Sequence, residues 1–188
     1  MKTRCKWADS IPELAEYHDK EWGVPIHDDF LLFEHLSLGG AQAGLSWLTI
    51  LKRREGYKKA FADFDPNKIA QYESDKIEKL LQDTGIIRNR QKVNSVVNNA
   101  VLILDIAKEF GTLNKYLWQF TGGKTIQNSW GNESELPLNT EESDNMSREL
   151  KKRGFSFIGT TICYAFMQAT GIVNDHTIDC FRYSEIKG

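Results

Sequence analysis

Nearly every apolar run in this chain repeats at the spacing of a helix face, and almost none alternates as a half-buried strand does. That periodicity, punctuated by capping residues and glycines, predicts an all-α fold. Ser10-Ile11-Pro12-Glu13 has capping-box spacing, with Pro12 in the first turn where its missing N–H costs nothing. The helix it opens carries Leu14, Tyr17 and His18, and Glu21-Trp22-Gly23-Val24-Pro25 breaks it. A second helix starts at Asp28 or Asp29 and is expected to stop at Gly39-Gly40. Ser46 caps a third, expected over residues 47–61, although Gly56 inside it costs about 1 kcal/mol against alanine. Asp65-Pro66 and Ser74 cap two short helices. Beyond a tight connection around Gly85, a long helix is expected to pack through Val93, Val96, Val97, Ala100, Val101 and Leu104 and to stop at Gly111. Thr112 caps the next, closed by Gly122-Gly123. Residues 125–139 read as polar and irregular, and helices over 143–153 and 160–170 end at Gly154 and Gly171.

No internal repeat, low-complexity run or linker interrupts the pattern, so residues 1–188 are expected to form a single helical domain. With 40% hydrophobic and 27% charged residues the composition is that of a globular protein, not a disordered one. The net charge of −2 supplies no overall pull toward nucleic acid, so any DNA binding has to use a local basic face. No apolar run reaches the roughly 18 residues of a membrane span, and residues 1–7 lack the apolar core of a signal peptide. The expectation is a cytoplasmic protein. Three cysteines do not suit a disulfide framework.

Four features carry chemistry. Cys5 and His18 lie near one end of the chain, His176 and Cys180 near the other, and their atoms are of the types zinc takes in a closed tetrahedral site. Spacing alone favours the plainer alternative, an exposed thiol with surface or capping histidines, because the close cysteine pairs of recognisable zinc sites are missing. Cys163, among Ile162, Tyr164 and Phe166, reads as core. The segment 82–92 holds a glycine turn leading into a helix N-terminus beside Arg88, Arg90 and Lys92. That is either a cradle for DNA phosphates or an ordinary helical hairpin with solvated basic residues. Lys52-Arg53-Arg54 and Lys151-Lys152-Arg153 would extend a basic face, or are simply solvated. Trp7, Tyr17, Trp22 and Trp47 are the rings of a base-stacking pocket or else half-buried core residues. Between the second and third helices, Leu38-Gly39-Gly40-Ala41-Gln42-Ala43-Gly44-Leu45-Ser46-Trp47 is small enough for close backbone approach, with Gln42, Leu45 and Trp47 as the groups able to touch a partner. No nucleotide-phosphate loop, dinucleotide fingerprint or nucleophile motif is present.

Taken in order, Cys5 with Trp7, Tyr17-His18-Asp19, Glu21-Trp22-Gly23-Val24-Pro25, Gln42-Ala43-Gly44-Leu45-Ser46-Trp47, Gly85-Ile86-Ile87-Arg88 and Lys151-Lys152-Arg153-Gly154-Phe155 resemble the 3-methyladenine DNA glycosylase I family. So do Gly159-Thr160-Thr161-Ile162-Cys163-Tyr164 and residues 171–176, and the likeness runs from about residue 4 to Cys180. It implies a helix-hairpin-helix glycosylase bundle in which a structural Zn2+ on Cys5, His18, His176 and Cys180 links the N- and C-terminal segments. It also implies hydrolysis of the N-glycosidic bond of 3-methyladenine in alkylated double-stranded DNA, with the free methylated base as product and an abasic site left behind. Nothing in it suggests more than a monomer.

By the same resemblance Tyr17 hydrogen-bonds the base, Trp47 stacks on it, and Trp7 and Trp22 complete the pocket. Gln42, Gly44 and Leu45 fall at the wedge that fills the gap in the duplex, and Gly85 and Arg88 at the DNA-backbone hairpin. Two positions depart from the family pattern. Gly39 stands where the family has a base-binding glutamate, so no catalytic carboxylate is assigned, and Leu14 stands where a tyrosine is expected. Losing a charged acceptor could cost a bound base about 1.5–3 kcal/mol. The consequence would be weakened 3-methyladenine excision, a pocket for a different or larger alkylated base, or a homologue that binds damaged DNA without releasing a base.

Overall fold

The longest helix, α7 (Arg90–Phe110), forms the spine of the molecule. Asn89 caps it by accepting a hydrogen bond from the Lys92 N–H, and Gly111, at φ +89°, ends it. It buries Val93, Val96, Ala100, Ile103 and Ile106. The predicted stripe drifts off this face at its far end, because 3.6 residues per turn bring Ile103 and Ile106 inward while Val101 stays 43% exposed and Leu104 half-buried. The computed structural model describes residues 2–186.

Around α7 lie α1 (Pro12–Lys20), α2 (Asp29–Gln42), α3 (Trp47–Leu51), α4 (Arg54–Ala60), α5 (Pro66–Ile69), α6 (Ser74–Leu80) and α8 (Leu113–Trp118). After them come α9 (Glu141–Lys152), α10 (Thr160–Ala169) and α11 (Phe181–Glu185), α10 packing against both α9 and α2. Asp28, Ser46, Asp65 and Thr112 cap as expected, and Thr140 forms a capping box with Ser143. The box at Ser10 does not form: Ile11 is the N-cap of α1 and makes no side-chain bond. Ser74 is likewise the first residue of α6, behind Glu73.

Three further expectations are corrected. Helix α2 runs through Gly39 and Gly40 to Gln42, because the two glycines pack under α10 and the segment before it instead of turning away. A Cβ on Gly40 would lie 3.1 Å from that of Phe157. The helix expected over 47–61 is two, broken at Lys52-Arg53 and not at Gly56. Gly56 is there for close approach, since a Cβ would run into the carbonyl of Gly85. The irregular stretch 125–139 contains a short strand, β1 (Ile126–Gln127), paired in parallel with β2 (Val173–Asn174) in the register Ile126 to Val173. This two-residue ladder is too short to show alternation in sequence. The Phe181 N–H, donating to Thr3 O at 2.9 Å, holds the end of the chain against its beginning.

Candidate active site and metal centre

Helix α1 places His18 and Tyr17 side by side on its buried surface, and the two residues serve different sites. His18 joins Cys5, His176 and Cys180 in a fully buried cluster whose ligand atoms all lie within 4.8 Å of one another. Cys5 Sγ to His176 Nδ1 is 3.6 Å, Cys180 Sγ to His18 Nε2 is 3.4 Å and Cys180 Sγ to His176 Nδ1 is 3.5 Å. Bond lengths of about 2.0–2.3 Å at tetrahedral angles put such atoms about 3.5 Å apart, so the donor set fits a tetrahedral ion.

The remaining ring nitrogens are tied down. His18 Nδ1 lies 2.9 Å from the Asp19 carboxylate, which the Arg4 guanidinium grips at 2.7–3.0 Å. Arg4 above all, with His18, holds the Asp19 carboxyl down at about 2. His176 Nε2 donates to Trp22 O at 3.0 Å, leaving Nδ1 for an ion. Next to it Asp175, almost fully buried, accepts from Asn128, Trp130, Tyr164 and Gln168 at 2.5–2.8 Å and so fixes the segment that carries His176 and Cys180. The Cys180 pKa is driven down by Cys5, then by His176 and His18, while the Cys5 pKa is driven up by Cys180 and by burial. The cluster could therefore hold a metal, and Asp19 and Asp175 are supporting residues that went unnoticed in the sequence. The signal for Asp19 was its place next to His18.

Tyr17 faces a cavity of about 250 Å³. The expected rings converge there: Trp7 and Trp22 pack edge to face with centroids 5.1 Å apart, and Tyr17 and Trp47 lie 5.3 Å apart. Gly39, His35, Gln42, Phe166 and Gln168 add to the lining, and none of the lining residues carries a carboxylate. Glu34 turns away and is buried against Arg54, whose Nε donates to it at 2.5 Å; Arg54 also bonds Glu21. Burial pushes the Tyr17 hydroxyl pKa up, so it stays a donor, and the Trp47 Nε1–H is buried without an acceptor. At Gly39 a Cβ would meet only Ile162 Cγ2, at 3.7 Å. A second recess, shared at Gly39, Gln42 and Ala165, continues past Thr161 and Ile162.

The turn from α2 to α3 projects beside this cavity. Gly44, at φ +77°, has open space around its Cα, Leu45 is 39% exposed, and Gln42 is half-buried at the rim and not freely exposed. Lys92 braces the turn by donating to Ala41 O and Ala43 O at 2.8 and 2.7 Å. That engagement corrects its reading as a cation for phosphate. Arg90 is paired with Glu78, and the Gly85 N–H donates to Asp83 Oδ1 at 2.7 Å, so the glycine turn closes on a carboxylate instead of presenting an open cradle. Arg88 is exposed, with no ion pair among the described residues. Of Lys52-Arg53-Arg54, the first pairs with Glu13, the second donates to Thr49 O and the third, half-buried, is paired with Glu21 and Glu34, so no basic face forms there. Arg153 is held by Glu109 and Tyr116 and Lys152 by Glu149, and Arg148, Lys151 and Lys152 share the lining of a groove with Asp144. Cys163 is core, as expected.

A ring-walled cavity beside a projecting small-residue turn, in a mostly helical fold, is a receptor for a flat heterocycle drawn out of a larger polymer. The chain belongs to the methyladenine glycosylase family, whose model matches residues 7–183. It is 46% identical over 180 residues to DNA-3-methyladenine glycosylase 1 of Escherichia coli (strain K12), covering 96% of each chain. A crystal structure of 3-methyladenine DNA glycosylase I superposes with a TM-score of 0.93 at 45% identity, covering 95% of this chain and 98% of that one. The Staphylococcus aureus enzyme, solved to give the structural basis of 3-methyladenine recognition, has a TM-score of 0.92 at 35% identity over 95% of both chains. Among the described residues no helix is long and apolar enough to cross a membrane.

Proposed function

We propose that this chain is a monofunctional DNA glycosylase that removes 3-methyladenine from alkylated double-stranded DNA. The observation that carries the reading is the cavity of Trp7, Tyr17, Trp22 and Trp47 next to the projecting turn at Gly44-Leu45. Methylation at N3 makes the nucleoside cationic. Ring faces attract that cation, and they hold the neutral base less strongly once the bond has broken. The C1′–N9 bond breaks with its electron pair going to the base, which leaves as neutral 3-methyladenine; water adds at C1′ and loses a proton. A leaving group already activated by its charge puts little demand on a general acid, which suits a cavity without a carboxylate.

In this reading Tyr17 hydrogen-bonds the base, Trp47 stacks on it, Trp7 and Trp22 close the pocket, and Gln42, Gly44 and Leu45 fill the gap in the duplex. Gly85 and Arg88 belong to a helix-hairpin-helix contact with the DNA backbone, supported by the exposure of Arg88 more than by the closed turn at Gly85. The ion suited to two thiolates and two imidazoles is Zn2+, with no open position and hence a structural role. The chain acts as a cytoplasmic monomer and a single domain. Incubation with methylated duplex DNA and chromatography of the released bases tests the activity; release of no alkylated base refutes it.

A second reading, a base range widened toward larger adducts, is favoured by the recess beyond Gly39. Faster release of 3-ethyladenine by the native protein than by Gly39→Glu would support it, and an equal ratio for both bases would exclude it.

A further inference from the structure

Helix α2 sends a second residue into the aromatic cavity. His35 lies one turn before Gly39, and residues four apart share a helix face. The ring is only 4% exposed. Its Nδ1 sits 2.9 Å from Leu31 O, and a carbonyl can only accept, so Nδ1 carries the hydrogen. In the neutral ring Nε2 is then a lone-pair acceptor. It has no hydrogen-bond partner among the described residues, yet it is not among the fully enclosed unpaired atoms, so it borders open space, and the space His35 borders is the cavity.

An acceptor that opens onto a ring-walled cavity is available to a donor on whatever fills that cavity. Protonation is resisted first by burial and also by Arg54 on α4, against the pull of the Leu31 carbonyl, of Glu34 on α2 and of Glu21 beyond α1. Tyr17 on α1 lines the same cavity and supplies a donor; Gln42 and Gln168 line it too, both half-buried, with the Gln168 Nε2 held by Asp175. The imidazole nitrogen of His35 is therefore a more buried acceptor than either amide oxygen.

We propose that His35 Nε2 accepts a hydrogen bond from the exocyclic amine of the extruded 3-methyladenine, making His35 the specificity-determining residue of this pocket. The inference rests on the activity proposed above. It assigns to position 35 a recognition role that Gly39 has no side chain to perform.

The test compares the native protein with His35→Leu, which removes the acceptor, and His35→Gln, whose amide oxygen restores one. Free 3-methyladenine and free 3-methylguanine are titrated by quenching of the pocket tryptophans, and release of both bases from methylated duplex DNA is followed in single turnover. The guanine presents an oxygen where the adenine presents the amine. His35→Leu is expected to weaken 3-methyladenine binding and release about tenfold, with 3-methylguanine changing far less and His35→Gln recovering most of the loss. An unchanged ratio between the two bases in His35→Leu overturns the assignment, whether both fall together through a packing defect or neither moves. If the native protein releases no base at all, the proposed activity fails, and the free-base titration still decides on His35.

Discussion

Gly39 and Gly40 are adjacent in one helix, and replacing each by alanine should move stability in opposite directions. The propensity gain is common to both, about 0.5–1 kcal/mol for removing glycine from a helix interior. The packing is not. The new methyl at 39 meets a single neighbour, Ile162 Cγ2, at 3.7 Å, an ordinary contact that adds favourable burial. At 40 it would come within 3.1 Å of Phe157 Cβ and 3.3 Å of Phe157 O, both rigid parts of that residue. Phe157 cannot easily give, because it already holds φ at +55°, which is strained for an aromatic residue. Overpacking costs about 1–3 kcal/mol, so Gly40→Ala is a net loss of about 0–2 kcal/mol and Gly39→Ala a gain of about 1. For a chain of this size each kcal/mol moves Tm by about 2–4 °C. Differential scanning calorimetry of the two variants under identical metal content reads the difference directly. A fall in Tm for Gly39→Ala, or an equal rise for both, would refute the claim that the fold leaves position 39 free to carry a side chain.

Gly56→Ala pushes a methyl into the Gly85 carbonyl and should cost about 1–3 kcal/mol in urea unfolding; an unchanged midpoint would show that the hairpin yields. Elemental analysis of protein purified without chelator should give one zinc per chain, and stripping it should lower Tm and the near-ultraviolet circular dichroism of the tryptophans, whereas a metal-free protein of equal Tm argues against a structural ion. Asp19→Ala should weaken metal affinity about 10–100-fold in competition with a chromophoric chelator, and an unaltered affinity removes Asp19 from the support of His18. Trp47→Ala should cost free-base binding about 1–3 kcal/mol, read by calorimetric titration with 3-methyladenine, and a smaller loss places the ring outside the stack. Arg54→Met strands Glu34, and unfolding at neutral pH should report a loss of about 3–5 kcal/mol; a loss below about 1 would mean that Glu34 finds water.

Local signals in the sequence were legible wherever one residue decides the outcome. Asp28, Ser46, Asp65 and Thr112 satisfy orphan N–H groups from their own side chains, so the helix starts could be read from them. The end of α2 could not, because Gly39-Gly40 looks locally like a stop and is overruled by Phe157 and Ile162, more than a hundred residues further on. The metal centre shows the same division. Its ligand types are visible, but Cys5 and Cys180 come together only in the fold, where the Phe181–Thr3 bond sets the two ends of the chain side by side. Basic residues misled for a related reason: Lys92, Arg54 and Arg153 are spent on carbonyls and carboxylates that sequence does not place near them.

The absence of a carboxylate from the aromatic cavity does not leave a cationic base without negative charge nearby. Arg54 is held between Glu21 and Glu34, and two carboxylates around one guanidinium leave one net negative charge. Both Tyr17 and His35 feel Glu21 and Arg54, so this cluster lies behind the two residues that line the cavity from α1 and α2. A charge set back in this way favours the cationic nucleoside without reading its edges. Under the proposed activity, reading then falls to neutral groups, the Tyr17 hydroxyl as donor and the His35 imidazole as acceptor. Gly39 is therefore compatible with the proposed catalysis of an activated substrate, because attraction and recognition, which one carboxylate would combine, are divided between a partly buried ion cluster and the cavity wall.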